Sequence, residues 1–212
     1  MKKFFAMLLL LALSGAVWAA DVAESRKLLI PERKVTFYQV SKAPVLDGDL
    51  SDVCWQGIPV WTDFRIPQVS ARARGGDRTP PMNTEVRLGF DRYKMYFAFK
   101  CYDPAAKELP PGQKPGKEWN GDHVTMFFSP KRPDSDTQQA TYYAHGGKHL
   151  SYRGKAPAIP FKSTWGLMRS AVRFHDGYWE IEAEVPFNNL EFNPFEDKGM
   201  RGQICRALDK LA

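Results

Sequence analysis

The alternation of apolar and polar residues in this chain predicts an all-β fold, an antiparallel β-sandwich of jelly-roll type with only short helical turns. Three observations carry that prediction. The first is Ala171–Leu190, AVRFHDGYWEIEAEVPFNNL, which reads as strand, tight turn, strand. Asp176-Gly177 supplies the turn, because glycine accepts the positive φ that short hairpins need. Trp179, Ile181, Ala183 and Val185 then alternate with Glu180, Glu182 and Glu184. A period of two puts the apolar set on one face and the three carboxylates on the other, as a solvated stripe. The second observation is Thr84–Asp103, TEVRLGFDRYKMYFAFKCYD, which repeats the plan around a turn at Asp91–Lys94. Two hairpins with one dry face each need a second sheet to cover them. The third is that no long amphipathic pattern of period 3.6 occurs anywhere.

The remaining elements follow in order. Val35–Val40 reads as an edge strand. Pro44–Asp49 makes a turn, and Asp49 or Ser51 can cap a short helix through Asp52–Gln56. Trp61–Phe64 fits a short strand, and Ile66–Met82 is a loop rich in Arg, Gly and Pro. After the first hairpin, Pro110-Pro111 and Pro115-Gly116 break Pro104–Gly121 into loop. His123–Ser129 is a strand with Val124, Met126 and Phe128 on one face, and Gln139–His145 another, with Gly146-Gly147 turning the chain. Lys148–Ser163 reads as irregular. A helical turn at Pro186–Leu190 closes the second hairpin, and Gln203–Arg206 begins a last strand.

With 212 residues and 43% hydrophobic content, the chain can build one domain with a real core. The expected organisation is a signal peptide at 1–19, a polar, loosely held segment at 20–34, and the sandwich at 35–212. Lys2 and Lys3 form a positive start, Phe4–Leu13 a short apolar run, and Val17-Trp18-Ala19 a cleavage site after Ala19. The expected location is therefore secreted or periplasmic. The apolar run is too short for a membrane span, and no cysteine follows the cleavage site to carry a lipid. Removing the signal leaves 28 Lys and Arg against 24 Asp and Glu, a mild excess of about +4. The basic residues are scattered, so nothing here suggests a nucleic-acid footprint. Arg72, Arg74 and Arg78 share one loop, which a solvated loop explains better than contact with an acidic polymer. The three cysteines have no metal-binding spacing. They are either three buried thiols or a Cys101–Cys205 bridge with Cys54 left over.

Five pieces now stand in a definite order: PVLDGDLSDVCWQ (Pro44–Gln56), Thr84–Asp103, WNGDHVTMFFSP (Trp119–Pro130), TYYAHGGK (Thr141–Lys148) and GYWEIEAEVPFNNL (Gly177–Leu190). Together they resemble the carbohydrate-binding modules of family 9 and the looser group of family-9-like domains, over roughly residues 36–206. The resemblance implies a β-sandwich, often with bound calcium, that binds sugars or polysaccharide ends beside glycoside hydrolases in carbohydrate catabolism. It implies that a terminal sugar lies between two tryptophans, whose faces pack on its C–H surface while polar groups meet its hydroxyls. Trp119 matches the first of these tryptophans. Asp122 and His145 fall on positions near the ligand, although Thr125 stands where the family often has an acid and His145 where asparagine is common. The second tryptophan lies beyond the last strand matched here: either Trp61 or Trp165 substitutes for it from another loop, or the cleft is one-sided, or the gene product is shortened. Asp47, Asp49 and Asp52 offer oxygens suited to calcium, but turn formation and helix capping explain them as well.

Other functions have weaker support. Catalysis needs convergent groups from different elements, whereas Glu180, Glu182 and Glu184 share one strand face, so hydrolysis is expected in a partner enzyme. A haem-binding electron-transfer sandwich would draw on Met126, His123 and His145, but Met126 sits on the apolar side of its strand. An envelope or protein-interaction domain that has lost sugar binding is the third reading.

Overall fold

A computed structural model describes residues 34–66, 75–108, 121–130, 137–153, 168–190, 192, 197 and 199–208. Nine strands among them are β1 (Tyr38–Gln39), β2 (Thr84–Phe90), β3 (Lys94–Tyr102), β4 (His123–Pro130), β5 (Thr137–Tyr143), β6 (Lys148–Arg153), β7 (Arg169–His175), β8 (Tyr178–Pro186) and β9 (Met200–Ala207). They form a five-stranded sheet in the order β1-β2-β3-β8-β7 and a four-stranded sheet in the order β6-β5-β4-β9. Every pairing is antiparallel except β1 with β2. The two hairpins expected from sequence are β2–β3 and β7–β8, and they meet each other through β3 and β8. Gly177 turns the second hairpin at φ 80° with open space around its Cα.

The core lies between the sheets. Val86, Leu88, Phe97 and Phe99 from the first hairpin and Trp179, Ile181, Ala183 and Val185 from β8 face Val124, Met126, Phe128, Ala140, Tyr142 and Leu150. Each large side chain in this layer contributes about 1.5–3 kcal/mol by leaving water. Phe97 and Phe128 join the sheets with rings 5.8 Å apart, and the Tyr142 hydroxyl donates across the gap to the Glu184 carbonyl at 2.7 Å. Met126 is fully buried here.

One expectation fails on the outer side of the five-stranded sheet. Glu182 and Glu184 are 0% and 2% exposed and do not form a solvated stripe. The reason is a second, smaller cluster in which Val40, Trp55 and Ile58 pack on Tyr96 and Ala98. The chain from Val40 to Ile58 thus covers the sheet's outer face, and the carboxylates find donors beneath it. Glu182 accepts hydrogen bonds from Trp55 Nε1 (2.8 Å), Asp47 N (3.1 Å) and Gly48 N (3.1 Å). Glu184 takes Lys94 Nζ at 2.7 Å and Arg169 Nε at 2.6 Å.

Smaller differences have local causes. The edge strand is only two residues long, and Trp61–Phe64 contributes a single bridge, Trp61 to Val86. The short helix is one 3-10 turn, Val53–Trp55, and Asp52 at its start bonds Val45 N at 2.7 Å instead of capping it. Lys148–Arg153 is a strand because the turn at Gly146 returns it alongside β5. Cys101 and Cys205 are free thiols in different sheets.

Candidate functional site

Strand alternation decides what each sheet shows to the outside. In β4, Val124, Met126 and Phe128 enter the core, so His123, Thr125 and Phe127 face out. Register carries the same face across the sheet: Tyr143, Thr141 and Gln139 lie opposite those three on β5, His149 and Ser151 follow on β6, and Cys205 and Gln203 on β9. None of these ten positions holds Asp, Glu, Lys or Arg, and the same face continues at its far end to Arg201, opposite Ser129, and Arg153, opposite Thr137. The outer face of the five-stranded sheet is the reverse: Glu85, Arg87, Lys94, Lys100, Arg169, Arg173, Glu180, Glu182 and Glu184 occupy the corresponding positions. Hydroxyls, amides and rings on one side stand against alternating charges on the other.

At its centre the face of the four-stranded sheet is covered rather than open. Thr125 and Thr141 are buried, their hydroxyls 2.9 Å apart. Gln139 Nε2 donates to Thr141 Oγ1 at 3.2 Å, and the Ser151 hydroxyl donates to Gln139 Oε1 at 3.4 Å. This chain fixes the Gln139 amide, so its orientation is set before any ligand arrives.

At one end of the face, three rings form a ladder. Tyr143 has the His123 ring at 5.0 Å, tilted by 47°, and the His145 ring at 5.1 Å, nearly parallel at 15°. His123 Nδ1 donates to the Gly121 carbonyl at 2.8 Å, which leaves Nε2 outward. His145 Nδ1 accepts from Gly147 N at 3.2 Å, so in this arrangement its ring proton belongs on Nε2. Gly121 lies under the His145 ring: a Cβ there would sit 3.4 Å from its Cδ2. Burial pushes the Tyr143 phenol above its usual range, leaving it a neutral hydroxyl.

The residues singled out from sequence are distributed as follows. His145 stands in the ladder. Asp122 is 6% exposed and turned between the sheets, where Arg206 NH2 lies 3.6 Å from its carboxylate. Arg206 also donates to the carbonyls of Tyr102 (2.8 Å) and Asn83 (3.2 Å), and its guanidinium lies over Trp179 at 5.8 Å. Asp122 therefore ties β4 to β9 and the opposite sheet beneath the ladder. Asp47 and Asp49 face Arg173, the latter at 2.5 Å, while Asp52 holds Val45 N. Among the described residues, no group of three or more His, Cys, Asp or Glu side chains is placed to hold a metal ion. Trp119 and Trp165 lie outside the described residues.

No protein-family model matches this sequence, and no curated protein does. Solved structures do. Two are family 9 carbohydrate-binding modules from Caldicellulosiruptor kristjanssonii. One, in complex with cellotriose, is 14% identical with a TM-score of 0.51, covering 79% of this chain and 73% of its own. The other, in complex with glucose, is 16% identical with a TM-score of 0.53, covering 80% and 76%. A candidate carbohydrate-binding protein from Bacteroides uniformis is 13% identical with a TM-score of 0.59, covering 84% of each chain. The fold is that of a family 9 carbohydrate-binding module. Within this fold, sequence reasoning overlooked Tyr143, Thr141 and the uncharged character of the sheet face. The signal was available in part, since TYY puts Thr141 and Tyr143, and HVT puts His123 and Thr125, at alternate positions, but their pairing in space is not readable from one strand.

Proposed function

We propose that this protein is a secreted, non-catalytic module that binds sugars or polysaccharide ends by aromatic stacking and assists glycoside hydrolases acting on the same polymer. The observation that carries this reading is the outer face of the four-stranded sheet, uncharged from the His123 row to the Phe127 row and edged by the His123–Tyr143–His145 ladder. A saccharide is neutral, has apolar C–H faces and is ringed by hydroxyls. It loses least on desolvation against neutral donors and acceptors with a ring to pack on. Trp119, two residues before Gly121 in sequence, is the proposed stacking platform, with Trp165 as a second. His145 supplies a hydrogen-bonding edge, and the buried Asp122 with Arg206 anchors the start of β4 beside it. The fold's neighbours, described as carbohydrate-binding modules, support the same ligand class. Export through a signal cleaved after Ala19 belongs to this proposal. Among the described residues, no helix is long and apolar enough to cross a membrane.

Tryptophan fluorescence during titration with xylo- and cello-oligosaccharides tests the reading, comparing wild type with Trp119→Ala. A saturable change that vanishes in the variant is expected. A flat response to every sugar from a folded protein would overturn sugar binding and leave an interaction domain.

A further inference from the structure

The sequence holds two Asp-Gly dipeptides, Asp47-Gly48 and Asp176-Gly177. Such a pair is chemically weak. Glycine puts no side chain in front of its own nitrogen, and the aspartate carboxyl carbon can close a five-membered ring onto that nitrogen. The fold treats the two pairs differently. Asp47-Gly48 is held against the five-stranded sheet. Gly48 N donates to Glu182 Oε2 at 3.1 Å, Asp47 Oδ1 accepts from Asp49 N at 2.8 Å, and Asp47 Oδ2 lies 3.5 Å from Arg173 NH2. A Cβ on Gly48 would come within 2.8 Å of the Arg173 backbone, so the chain has no room there to change course.

Asp176-Gly177 stands at the tip of the β7–β8 hairpin. The ladder ends at the pair of His175 and Tyr178, which leaves the Gly177 N–H outside it. Gly177 has open space around its Cα, and the Asp176 side chain is 89% exposed. Lys107 Nζ lies 3.3 Å from the Asp176 carboxylate, but this pair joins two exposed groups and holds the carboxylate only loosely.

We infer that Asp176-Gly177 is a site of spontaneous modification, where aspartate converts to isoaspartate through a cyclic succinimide. The Gly177 nitrogen attacks Asp176 Cγ. The N–Cγ bond forms, and one carboxyl oxygen leaves as water with the amide proton and a proton from solvent. Water then adds to either ring carbonyl. Opening at Cγ restores aspartate. Opening at the main-chain carbonyl gives isoaspartate, with the backbone running through the side-chain methylene. The product adds one main-chain carbon to a two-residue turn, at the place where the Gly177 carbonyl accepts from Asp103 N at 2.9 Å.

Prolonged incubation of the folded protein in 18O-labelled water tests this, read by mass spectrometry of tryptic peptides with fragmentation that separates isoaspartate from aspartate. Each ring opening places one labelled oxygen on the reacting residue. Asp176 should acquire both the label and isoaspartate. Asp47 must first break the Gly48 bond to Glu182, so it should react about tenfold more slowly or less. In urea the two sites should react at similar rates. Asp176→Glu, a change at an exposed side chain, should remove the label at that position, because the larger ring closes far more slowly. The wild-type comparison of Asp176 with Asp47 keeps the test valid if that variant fails to fold. Absence of label at Asp176, equal labelling of both sites in the folded protein, a gap between them that persists in urea, or a label that survives Asp176→Glu would overturn the inference.

Discussion

Replacing Glu182 should unlatch the segment that covers the five-stranded sheet. Its carboxylate is fully buried and accepts three hydrogen bonds, from the Trp55 indole at 2.8 Å and the backbone of Asp47 and Gly48 at 3.1 Å each. Glu182→Ala leaves at least two buried donors without an acceptor, each costing about 1–3 kcal/mol. Removing a desolvated carboxylate returns part of that, so the net loss should be about 3 kcal/mol. The neighbouring Glu180 is more accessible, with His175 Nε2 at 3.0 Å. Glu180→Ala should cost under about 1 kcal/mol. Urea unfolding followed by circular dichroism separates the two: with a slope near 2 kcal/mol per molar, Glu182→Ala should lower the midpoint by roughly 1.5 M. The pH dependence gives a second check. Burial, the largest influence, raises the Glu182 carboxyl above its ordinary value, against the hydrogen bonds from Trp55, Asp47 and Gly48. The folded state therefore holds this proton more tightly than the unfolded one. The contribution is fully present below the unfolded carboxyl value and is lost as pH rises through the folded value. Glu182→Gln should flatten that part of the stability curve. If Glu182→Ala and Glu180→Ala shift the midpoint equally, the latch is wrong and the three glutamates are a solvated stripe after all.

Three other outcomes are expected. Arg206→Met leaves the Tyr102 and Asn83 carbonyls and the Asp103 and Asp122 carboxylates without their cation. It should cost about 3–5 kcal/mol, read as a fall of roughly 10 °C in Tm, with part recovered on adding Asp122→Asn. Gly48→Ala, at φ 81° with its Cβ 2.8 Å from the Arg173 backbone, should destabilise by several times as much as Gly177→Ala, at φ 80° in open space, in the same melting assay. Burial pushes the Cys101 thiol up to about 12, so a thiol reagent at pH 8 should leave it unlabelled in the native protein. After denaturation without reductant, all three cysteines should react; two missing thiols would mean a disulfide.

The hairpins were legible because one apolar face per strand is a local pattern: Val86, Leu88, Phe97 and Phe99 announce themselves at a period of two. Glu182 misled for the same reason. Alternation says which face a residue takes, but not whether a distant segment, here Val40–Ile58, lies over that face. Lys148–Arg153 lacked any strong alternation and became a strand only because β5 offered an edge. At the site, His145 was visible through its resemblance position. Asp122 was visible too, but its partner Arg206 is 84 positions away and on another strand, so its inward turn was not. The uncharged rows at Thr125 and Phe127 needed four strands in register before they came together.

Which face meets sugar is the central question for this molecule. Chemical-shift mapping of the labelled protein against cellotriose would locate it directly. The perturbed amides should gather at His123, Thr125, Thr141, Tyr143 and His145 on the four-stranded sheet. Shifts confined to the charged face around Lys100, Arg173 and Glu180, or no shifts at millimolar sugar, would contradict that placement.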